Sequence, residues 1–231
     1  AEVASVTGAS FIQGDAGIAD DAANAVATAI EQLGGLDILM NNAGAPAKPA
    51  PFEDLSLENF DATMAVHVRG ALAHSQHAAR HMRAQKSGSI INVGSIAGHR
   101  AGYTASMLYA VAKAAVIHMT KCAAMELGED GVRVNCISPG VIATGIFAKA
   151  MGMDTDTAET TVEKVKPMIA GMQAVPRAGE TDDIANAAVY LGSDEAGFVN
   201  GVDMVIDGGL IWGRRYSETS KGGGTWSTLF D

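Results

Sequence analysis

Three side chains in the middle of the chain have the chemistry needed to move a proton to or from an alcohol oxygen. Tyr109 and Lys113 are four positions apart, so a helix would place them on one face, one turn from each other. A phenol titrates near ~10 in water, and a neighbouring ammonium group favours the phenolate and lowers that pKa. Ser95 follows an apolar run that predicts a strand, and its hydroxyl could hold the same oxygen. Together the three groups predict acid–base catalysis on an alcohol or a carbonyl.

Short motifs around these side chains follow one another in an order that chance rarely produces. A Tyr-x-x-x-Lys pair by itself more often marks a surface lysine beside a half-buried tyrosine. The order of motifs along the chain is Asn42-Ala43-Gly44, Ser95, Tyr109-x-x-x-Lys113 and Pro139-Gly140. This order resembles that of the short-chain dehydrogenase/reductase family. The resemblance extends from about Val3 to Gly209, with one interruption.

The resemblance implies both a fold and an activity. The fold would be α/β, with a Rossmann-like, doubly wound parallel sheet in three layers, forming a single domain over residues 1–231. The activity would be the NAD(P)-dependent interconversion of a secondary alcohol and a ketone. Tyr109 would be the general acid/base, Lys113 would lower its pKa and hold the nicotinamide ribose, and Ser95 would steady the substrate oxygen. By resemblance, the candidate substrates include cyclic alcohols, hydroxysteroids and 3-oxoacyl thioesters.

A cofactor-binding set also follows from the resemblance. Asn42 and the turn after it would lie near the ribose, while the Ile142 backbone and the Thr144 hydroxyl would hold the nicotinamide carboxamide. An acidic residue, Asp15, matches the family position that contacts the adenine. The complete set that we expect to bind the cofactor is Gly8, Asp15, Asn42, Ala43, Gly44, Tyr109, Lys113, Pro139, Gly140, Ile142 and Thr144.

The start of the chain matches the family in two pieces that lie too close together. Residues 3–10 resemble the first strand and the opening of the phosphate loop, but Ile12 stands where relatives have a glycine. Residues 11–15 resemble the end of the third strand. One βαβ unit needs about 30 residues or more, so we infer that roughly 40 residues are absent between Ser10 and Phe11. The absent part would hold the rest of the phosphate loop, the first helix and the second strand.

The absent segment also removes the residues that choose between NAD and NADP, and NAD is favoured only weakly. A fold that manages without the segment is the alternative, and it would expose an unpaired sheet edge. Two other functions remain open on the same scaffold. One is a non-catalytic nucleotide-binding relative, and the other is a dehydratase or epimerase.

His67 occupies a position where the family usually carries an asparagine associated with a water-linked proton relay to the lysine. One interpretation is that His67 holds the same water or relays protons itself, which makes it a candidate catalytic residue. The other is that His67 is a packing substitution and that the relay is impaired. The first interpretation predicts a pH dependence of turnover near ~6–7, because histidine titrates in that range.

Hydrophobic periodicity and cap residues predict the remaining elements. We expect helices over residues 20–33, 56–85, 105–127 and 181–191, and strands over 36–40, 90–93, 132–137 and 202–206. Residues 145–176 are expected to form a substrate lid, and their methionines indicate a hydrophobic or cyclic substrate, although core packing explains them as well. Residues 211–231 form a C-terminal extension that covers either a neighbouring subunit or the pocket.

Composition excludes several classes of partner. The net charge is −10, so clustered basic residues for nucleic-acid phosphates are not expected. No apolar run is long enough to span a membrane. His74, His77 and His81 share a helical stripe, but no nearby carboxylate or cysteine completes a metal site, so we expect no metal. Cys122 and Cys136 lack the spacing of a disulfide framework and favour a cytoplasmic protein. A small-molecule alcohol or ketone and a second copy of the chain, in a homodimer or homotetramer, are the expected partners.

Overall fold

The strands lie side by side in sequence order and all run in the same direction. The computed structural model describes residues 2–221 of the chain. Its sheet consists of β1 (Ile38–Asn41), β2 (Gly88–Val93), β3 (Val132–Pro139) and β4 (Asp203–Ile206). One row of paired residues crosses the whole sheet, through Asn41, Asn92, Cys136 and Asp203. Because residues paired across a sheet point to the same face, these four polar or sulfur-bearing side chains share one side of it.

Helices connect each strand to the next, as a parallel sheet requires. In chain order they are α1 (Glu2–Thr7), α2 (Ala19–Leu33), α3 (Leu57–Met64), α4 (Gly70–Gln85), α5 (Met107–Leu127), α6 (Ile146–Ala150), α7 (Thr155–Glu159), α8 (Val162–Ala170), α9 (Thr181–Gly192) and α10 (Tyr216–Lys221). Single 3-10 turns occupy Phe52–Asp54, Ile96–Gly98, Gly128–Asp130, Asp194–Ala196 and Leu210–Trp212. The predicted alternation of strands and helices is confirmed.

Two helical layers enclose the sheet. Helices α2, α4 and α5 cover one face, where Met82, Ile90 and Val134 belong to one buried cluster. Helix α9 covers part of the other face, where Ile91 and Leu191 lie in a second cluster. Strands β2 and β3 are buried on both faces, which explains their continuous apolar runs. The three-layer α/β fold expected from the sequence is therefore confirmed.

Helices α2, α5 and α9 begin within two residues of their predicted positions, although α2 has no side-chain cap. Ser106 caps α5, its hydroxyl accepting a hydrogen bond from the Tyr109 N–H at 3.3 Å. The cap of α9 is Glu180 in a capping box with Asp183, although Thr181 was the predicted cap. A glutamate reaches the orphan N–H groups of the first turn as well as a threonine hydroxyl does, so composition alone could not separate the two.

The long helix predicted over residues 56–85 is continuous but locally unwound. Ser56 caps it, accepting from the Asn59 N–H at 3.1 Å. Between α3 and α4, residues Ala65–Arg69 form a π-helical turn, and His67 lies at its centre. A π-helical turn widens the backbone spacing and changes the direction of one side chain, and such turns are frequent at functional sites.

The start of the chain differs from the prediction. The segment expected to be the first strand is the helix α1, and residues 11–15 belong to no strand. Only residues 8–10 lie between α1 and residues 11–15, whereas a parallel crossover needs a dozen or more residues. The two segments are therefore too close in sequence to enter the sheet as parallel neighbours. A short segment without a strand partner can satisfy its backbone hydrogen bonds internally, as a helix does.

The outer edge of β1 is consequently open. Within residues 2–221 no other strand pairs with it. Ile38 is 50% exposed and Met40 37% exposed, on the face of the sheet that α9 covers only in part. An open, apolar strand edge is a template for unwanted pairing, so natural sheets rarely leave one uncovered.

The predicted lid and extension are partly described. Helices α6, α7 and α8 lie within the predicted lid, residues 145–176. Ala148, Ala158 and Ile169 are buried there. The methionines of this segment are exposed to different degrees, namely Met151, Met153, Met168 and Met172. The glycines at 222–224 and Trp226, which the extension was expected to include, lie outside the described residues. Among those residues, no helix combines the length and hydrophobicity required to cross a bilayer.

Candidate active site

Ser95 lies immediately beyond β2, at the carboxyl edge of the sheet. It begins the turn Ile96–Gly98 in an extended conformation, and its Oγ accepts a hydrogen bond from the Ala97 N–H at 3.2 Å. The preceding Gly94 N–H donates to the carbonyl oxygen of Ile137 at 2.8 Å, which ties this end of β2 to β3. Ser95 is 9% exposed. Because Oγ already accepts from a backbone amide, its own proton remains available for donation to another oxygen.

Tyr109 lies in the first turn of α5 and is half-buried beside Ser95. Burial raises the pKa of the Tyr109 phenol above its usual value, while a hydrogen bond with the Ser95 side chain lowers it. The spacing of Tyr109 and Lys113 predicted a pKa lowered by the lysine, and the structure shows a net shift in the opposite direction. The cost of burying a phenolate outweighs the hydrogen bond, because α5 and β2 exclude water from the hydroxyl.

Lys113 lies one turn further along α5 and is buried. Its Nζ donates a hydrogen bond to the carbonyl oxygen of Val93 at 2.7 Å and lies 5.6 Å from the centroid of the Tyr109 ring. Burial lowers the pKa of the lysine to about 8. The ammonium group thus contacts the tyrosine through its ring face, which is a cation–π arrangement, and a carbonyl at the end of β2 fixes its position.

His67 reaches the same place from the π-helical turn. Its ring meets the Tyr109 ring edge to face, with centroids 5.3 Å apart. Its Nε2 is 2.9 Å from the carbonyl oxygen of Ala45 and 3.5 Å from the Ala45 amide nitrogen. We assign the proton to Nε2 because the shorter contact is to an oxygen that can only accept. Nδ1 is then an acceptor, and it is buried without a hydrogen-bond partner among the described residues. Burial, and secondarily the charge of Lys113, lower the pKa of His67 below its usual value.

The turn after β1 lies against this histidine. Asn42 and Gly44 are exposed, and the Asn42 N–H donates to the Met40 carbonyl at 3.1 Å. A methyl group on Gly44 would come within 3.0 Å of Cε1 of His67, which is tighter than ordinary van der Waals contact. Glycine at this position therefore lets the backbone pass close to the ring. Ala43 lies between them, at the mouth of the site.

The segment after β3 forms the opposite wall. Gly140 follows Pro139, and a Cβ at Gly140 would lie 2.6 Å from Cβ of Asp207, so only glycine allows the two backbones to approach so closely. Ile142 bridges to Gly179, and Thr144 is half-buried. The carboxyl ends of β1, β2 and β3 thus bring together the predicted residues of the nicotinamide end of the site, at the edge where open α/β sheets bind ligands.

Comparison with known proteins agrees with this geometry. The family model described as enoyl-(acyl carrier protein) reductase matches residues 1–211. The chain is 38% identical to xanthoxin dehydrogenase of Arabidopsis thaliana over 203 residues, which cover 87% of this chain and 70% of that protein. It is 39% identical to (+)-borneol dehydrogenase 2 of Salvia officinalis over 204 residues, with 87% and 71% of the two chains covered.

Solved structures resemble the chain to a similar extent. A short-chain type dehydrogenase/reductase from Mycobacterium ulcerans superposes with a TM-score of 0.74 at 32% identity, covering 87% of this chain and 70% of that one. A gluconate 5-dehydrogenase from Burkholderia cenocepacia J2315, in complex with NADP and tartrate, also superposes with a TM-score of 0.74, at 28% identity, covering 87% and 74%. The chain belongs to the short-chain dehydrogenase/reductase family. It is an NAD(P)-dependent oxidoreductase.

Two cofactor-binding residues expected of a short-chain dehydrogenase/reductase stand apart from the others. Gly8 follows α1 with a φ of 73°, and a Cβ there would meet nothing within 4 Å. Asp15 is exposed, and its Oδ1 accepts from the Gly17 N–H at 2.8 Å. Gly8 thus does not join the nicotinamide end, and a phosphate cradle around it is not formed. Such a cradle needs a strand before the glycine and a helix after it. Neither element is present next to Gly8, because Phe11 follows Ser10 directly.

A polar network beneath the site escaped the sequence analysis. The Asn41 amide donates to Oδ1 of Asn92 at 2.8 Å and to Oγ of Ser75 at 3.0 Å. The Asn92 amide donates to Oγ1 of Thr120 at 2.9 Å, and Thr120 in turn donates to the carbonyl oxygen of Val116. The network joins β1, β2, α4 and α5. An asparagine inside an apolar strand was the available signal, since a buried amide must find partners.

Proposed function

We propose that the protein interconverts a secondary alcohol and a ketone, with Tyr109 as general acid/base. The observation that carries the proposal is the contact between the hydroxyl groups of Tyr109 and Ser95, with Nζ of Lys113 5.6 Å from the tyrosine ring. These three groups occupy one side of the carboxyl edge of the sheet. A reacting oxygen placed there would meet two hydroxyl groups and a nearby cation at once.

In the direction of ketone reduction, Tyr109 donates its phenolic proton to the carbonyl oxygen. Its raised pKa keeps the phenol protonated at neutral pH, which suits this direction. Ser95 donates its own proton as a hydrogen bond to the same oxygen. Lys113 places a positive charge beside the tyrosine ring, and this charge favours the phenolate that remains after donation.

The residues at the nicotinamide end fit a dinucleotide cofactor. Gly44 and Gly140 keep the backbone clear on the two sides of the site, as close approach of a flat ring requires. Asn42, Ala43 and Lys113 would hold the ribose. Pro139, Ile142 and Thr144 would hold the carboxamide. A bound nicotinamide supplies or accepts the hydride, and NAD is weakly preferred over NADP in this proposal.

His67 is proposed to extend the proton path. With Nε2 committed to Ala45, its Nδ1 can accept a hydrogen bond from a water molecule that also contacts Lys113. The lowered pKa keeps the ring neutral near pH 7, so Nδ1 remains an acceptor. This arrangement supports the relay interpretation over simple packing, because a packing histidine would not leave a buried nitrogen unpaired.

The proposed substrate is a hydrophobic or cyclic alcohol or ketone. Four methionines of the lid segment, residues 145–176, offer flexible apolar side chains at its surface. The similarity to a (+)-borneol dehydrogenase supports a cyclic alcohol among the candidates. Hydroxysteroids and 3-oxoacyl thioesters are the other classes to test.

We also propose that a segment of the family fold is absent between Ser10 and Phe11. The open edge of β1, with Ile38 and Met40 exposed, is where the missing strands would pair. A homodimer or homotetramer is the proposed assembly. The cytoplasm is the proposed compartment, because Cys122 and Cys136 are both free thiols.

A second candidate function is nucleotide binding without catalysis, which the unformed phosphate cradle around Gly8 favours. Turnover of a ketone panel with NADH and with NADPH, followed at 340 nm, separates the two. We expect stoichiometric oxidation of the reduced cofactor, which also excludes a dehydratase or an epimerase. Nucleotide binding with no turnover of any ketone would favour the second candidate.

The decisive variant is Tyr109→Phe, which removes only the reacting hydroxyl. We expect kcat to fall by about 10²–10⁴-fold, the usual contribution of a positioned acid/base, with the melting temperature little changed. Tyr190→Phe is the matched control, because Tyr190 lies on α9 beyond the opposite face of the sheet. Near-normal turnover by Tyr109→Phe would refute the assignment.

A further inference from the structure

His99 and Asp203 form a contact that the proposed chemistry does not use. Nε2 of His99 lies 2.6 Å from Oδ2 of Asp203, and the side chains are 28% and 6% exposed. Oδ1 of Asp203 accepts a hydrogen bond from the Ser138 hydroxyl at 2.7 Å. Among the described residues, Oδ2 has no partner with hydrogen-bond geometry. The close approach of the His99 ring is therefore the polar contact that the structure gives to this half of the buried carboxylate.

The position of this pair connects it to Ser95. Ser95 begins the turn Ile96–Gly98, and His99 ends it. Inside the turn, the Gly98 N–H donates to the carbonyl oxygen of Ser95 at 2.9 Å, and the His99 N–H donates to that of Ile96 at 3.0 Å. A contact that fixes His99 therefore also restrains Ser95, which lies four peptide units before it.

Asp203 provides a rigid anchor for that contact. It is the first residue of β4 and is paired in register with Cys136 of β3, so its side chain lies on the α5 face of the sheet. Burial and the Asp203 carboxylate raise the pKa of the Cys136 thiol to about 12. The thiol therefore stays neutral, and a hydrogen bond between it and the Asp203 side chain helps to hold the carboxylate in place.

We propose that the His99–Asp203 contact is a positioning device for Ser95, fixing the turn that carries its hydroxyl against the first residue of β4. Neither residue touches the reacting atoms in this proposal, which rests on the proposed function for its catalytic consequence. Loss of the pair makes the turn more mobile, so that the Ser95 hydroxyl is no longer held in position to bind the substrate oxygen.

Hydrogen exchange followed by mass spectrometry tests the positioning itself, without any need for turnover. In the His99→Gln variant, we expect the backbone amide hydrogens of Gly98, Arg100 and the residue between them to exchange roughly tenfold faster than in the wild type. Local opening of the turn becomes easier in this variant. His99→Lys keeps a cation and should keep most of the protection. His118→Gln is the matched control, since His118 is exposed on α5. If His99→Gln exchanges like the wild type, the proposal is overturned.

Kinetics then test the consequence for catalysis. We expect His99→Gln to lower kcat by roughly ten- to a hundredfold with KM little changed, as misplacement of a catalytic group does. In a Ser95→Ala background the same substitution should have little further effect on kcat, because the hydroxyl that the pair positions is already absent. An equal loss in both backgrounds would show that the pair does not act through Ser95. Asp203→Asn, which keeps the size of the side chain, repeats both measurements if His99→Gln folds poorly.

These outcomes separate the two proposals. If the wild type turns over no ketone, the proposed function fails, and the exchange measurement still decides whether the pair holds the Ser95 turn. If the wild type is active and His99→Gln matches it in kcat, the positioning proposal fails while the proposed function stands.

Discussion

At the scale of single residues, burial decides how each catalytic candidate titrates. Tyr109 and Lys113 lie at the spacing that places them on one helical face, yet burial raises the pKa of the phenol and lowers that of the ammonium group to about 8. Their charged forms are both disfavoured by the same loss of water. The pKa values of the two groups would be similar in solution, near ~10 and ~10.4. Burial therefore moves them apart, and the phenol holds its proton more tightly than the ammonium group does.

Lys113, the proposed partner of Tyr109, is buried at a cost in stability. Its folded pKa of about 8 lies below the value of the unfolded chain, so the unfolded state binds more protons between these two values. Stability should therefore rise as pH increases from about 8 towards ~10.4. Lys113→Met replaces the buried charge with a flexible apolar chain of similar length. We expect it to leave stability unchanged or to increase it by about 1–4 kcal/mol at pH 7, and to abolish turnover.

Urea unfolding at pH 7 and pH 9.5 measures this effect. The wild type should gain stability between the two pH values, while Lys113→Met should not. Lys121→Met is the matched control, because Lys121 is exposed on the same helix. A clear loss of stability in Lys113→Met would show that the hydrogen bond to Val93 outweighs the cost of burying the charge.

Protonation of His67 should lower the activity at acidic pH. Its pKa is lowered, so the ring protonates below its usual value of about 6.5, and the dependence lies lower than the range near ~6–7 expected from sequence. Protonation would convert Nδ1 from an acceptor to a donor and break the proposed relay. We expect kcat to fall as pH decreases below the usual titration range of an imidazole. His67→Asn should keep or raise turnover and remove this fall. A pH profile that is the same in both proteins would contradict the relay.

At the scale of elements, the polar network under the site determines how β1, β2, α4 and α5 meet. Thr120→Val keeps the shape of the side chain but leaves the Asn92 amide without its acceptor. We expect a loss of about 1–3 kcal/mol of unfolding free energy, the usual cost of a buried unpaired donor. Thr181→Val, at an exposed position in α9, should cost much less. Chemical denaturation of the two variants makes the comparison, and equal losses would show that the network contributes nothing specific.

At the scale of the whole molecule, the open edge of β1 is the feature that most needs explanation. If a segment is absent after Ser10, a chain carrying about 40 further residues there, built as one strand–helix unit of the family, should cover this edge. We expect it to bind nucleotide more tightly and to melt at a higher temperature than the present chain. A flexible Gly/Ser insertion of the same length is the control. No gain in either property over that control would argue that the fold manages without the segment.

Sequence alone determined the family and the α/β alternation, and it supplied the three groups of the proposed catalytic site. These depend on local spacing: four residues along a helix, a strand followed by a serine, and a Pro-Gly turn after a strand. Local geometry carries such information whatever the rest of the chain does. The boundaries of β3 and α5 were also predicted within two residues, because their apolar patterns and caps are strong.

Only the tertiary structure decided the features that depend on distant partners. The first segment is a helix because a strand needs a neighbour that this chain does not place beside it. The pKa of Tyr109 rises because packing excludes water, which no spacing rule measures. The pairing of His99 with Asp203 joins residues more than a hundred positions apart. Burial and long-range contact are properties of the assembled molecule, and the sequence expresses them only after the chain has folded.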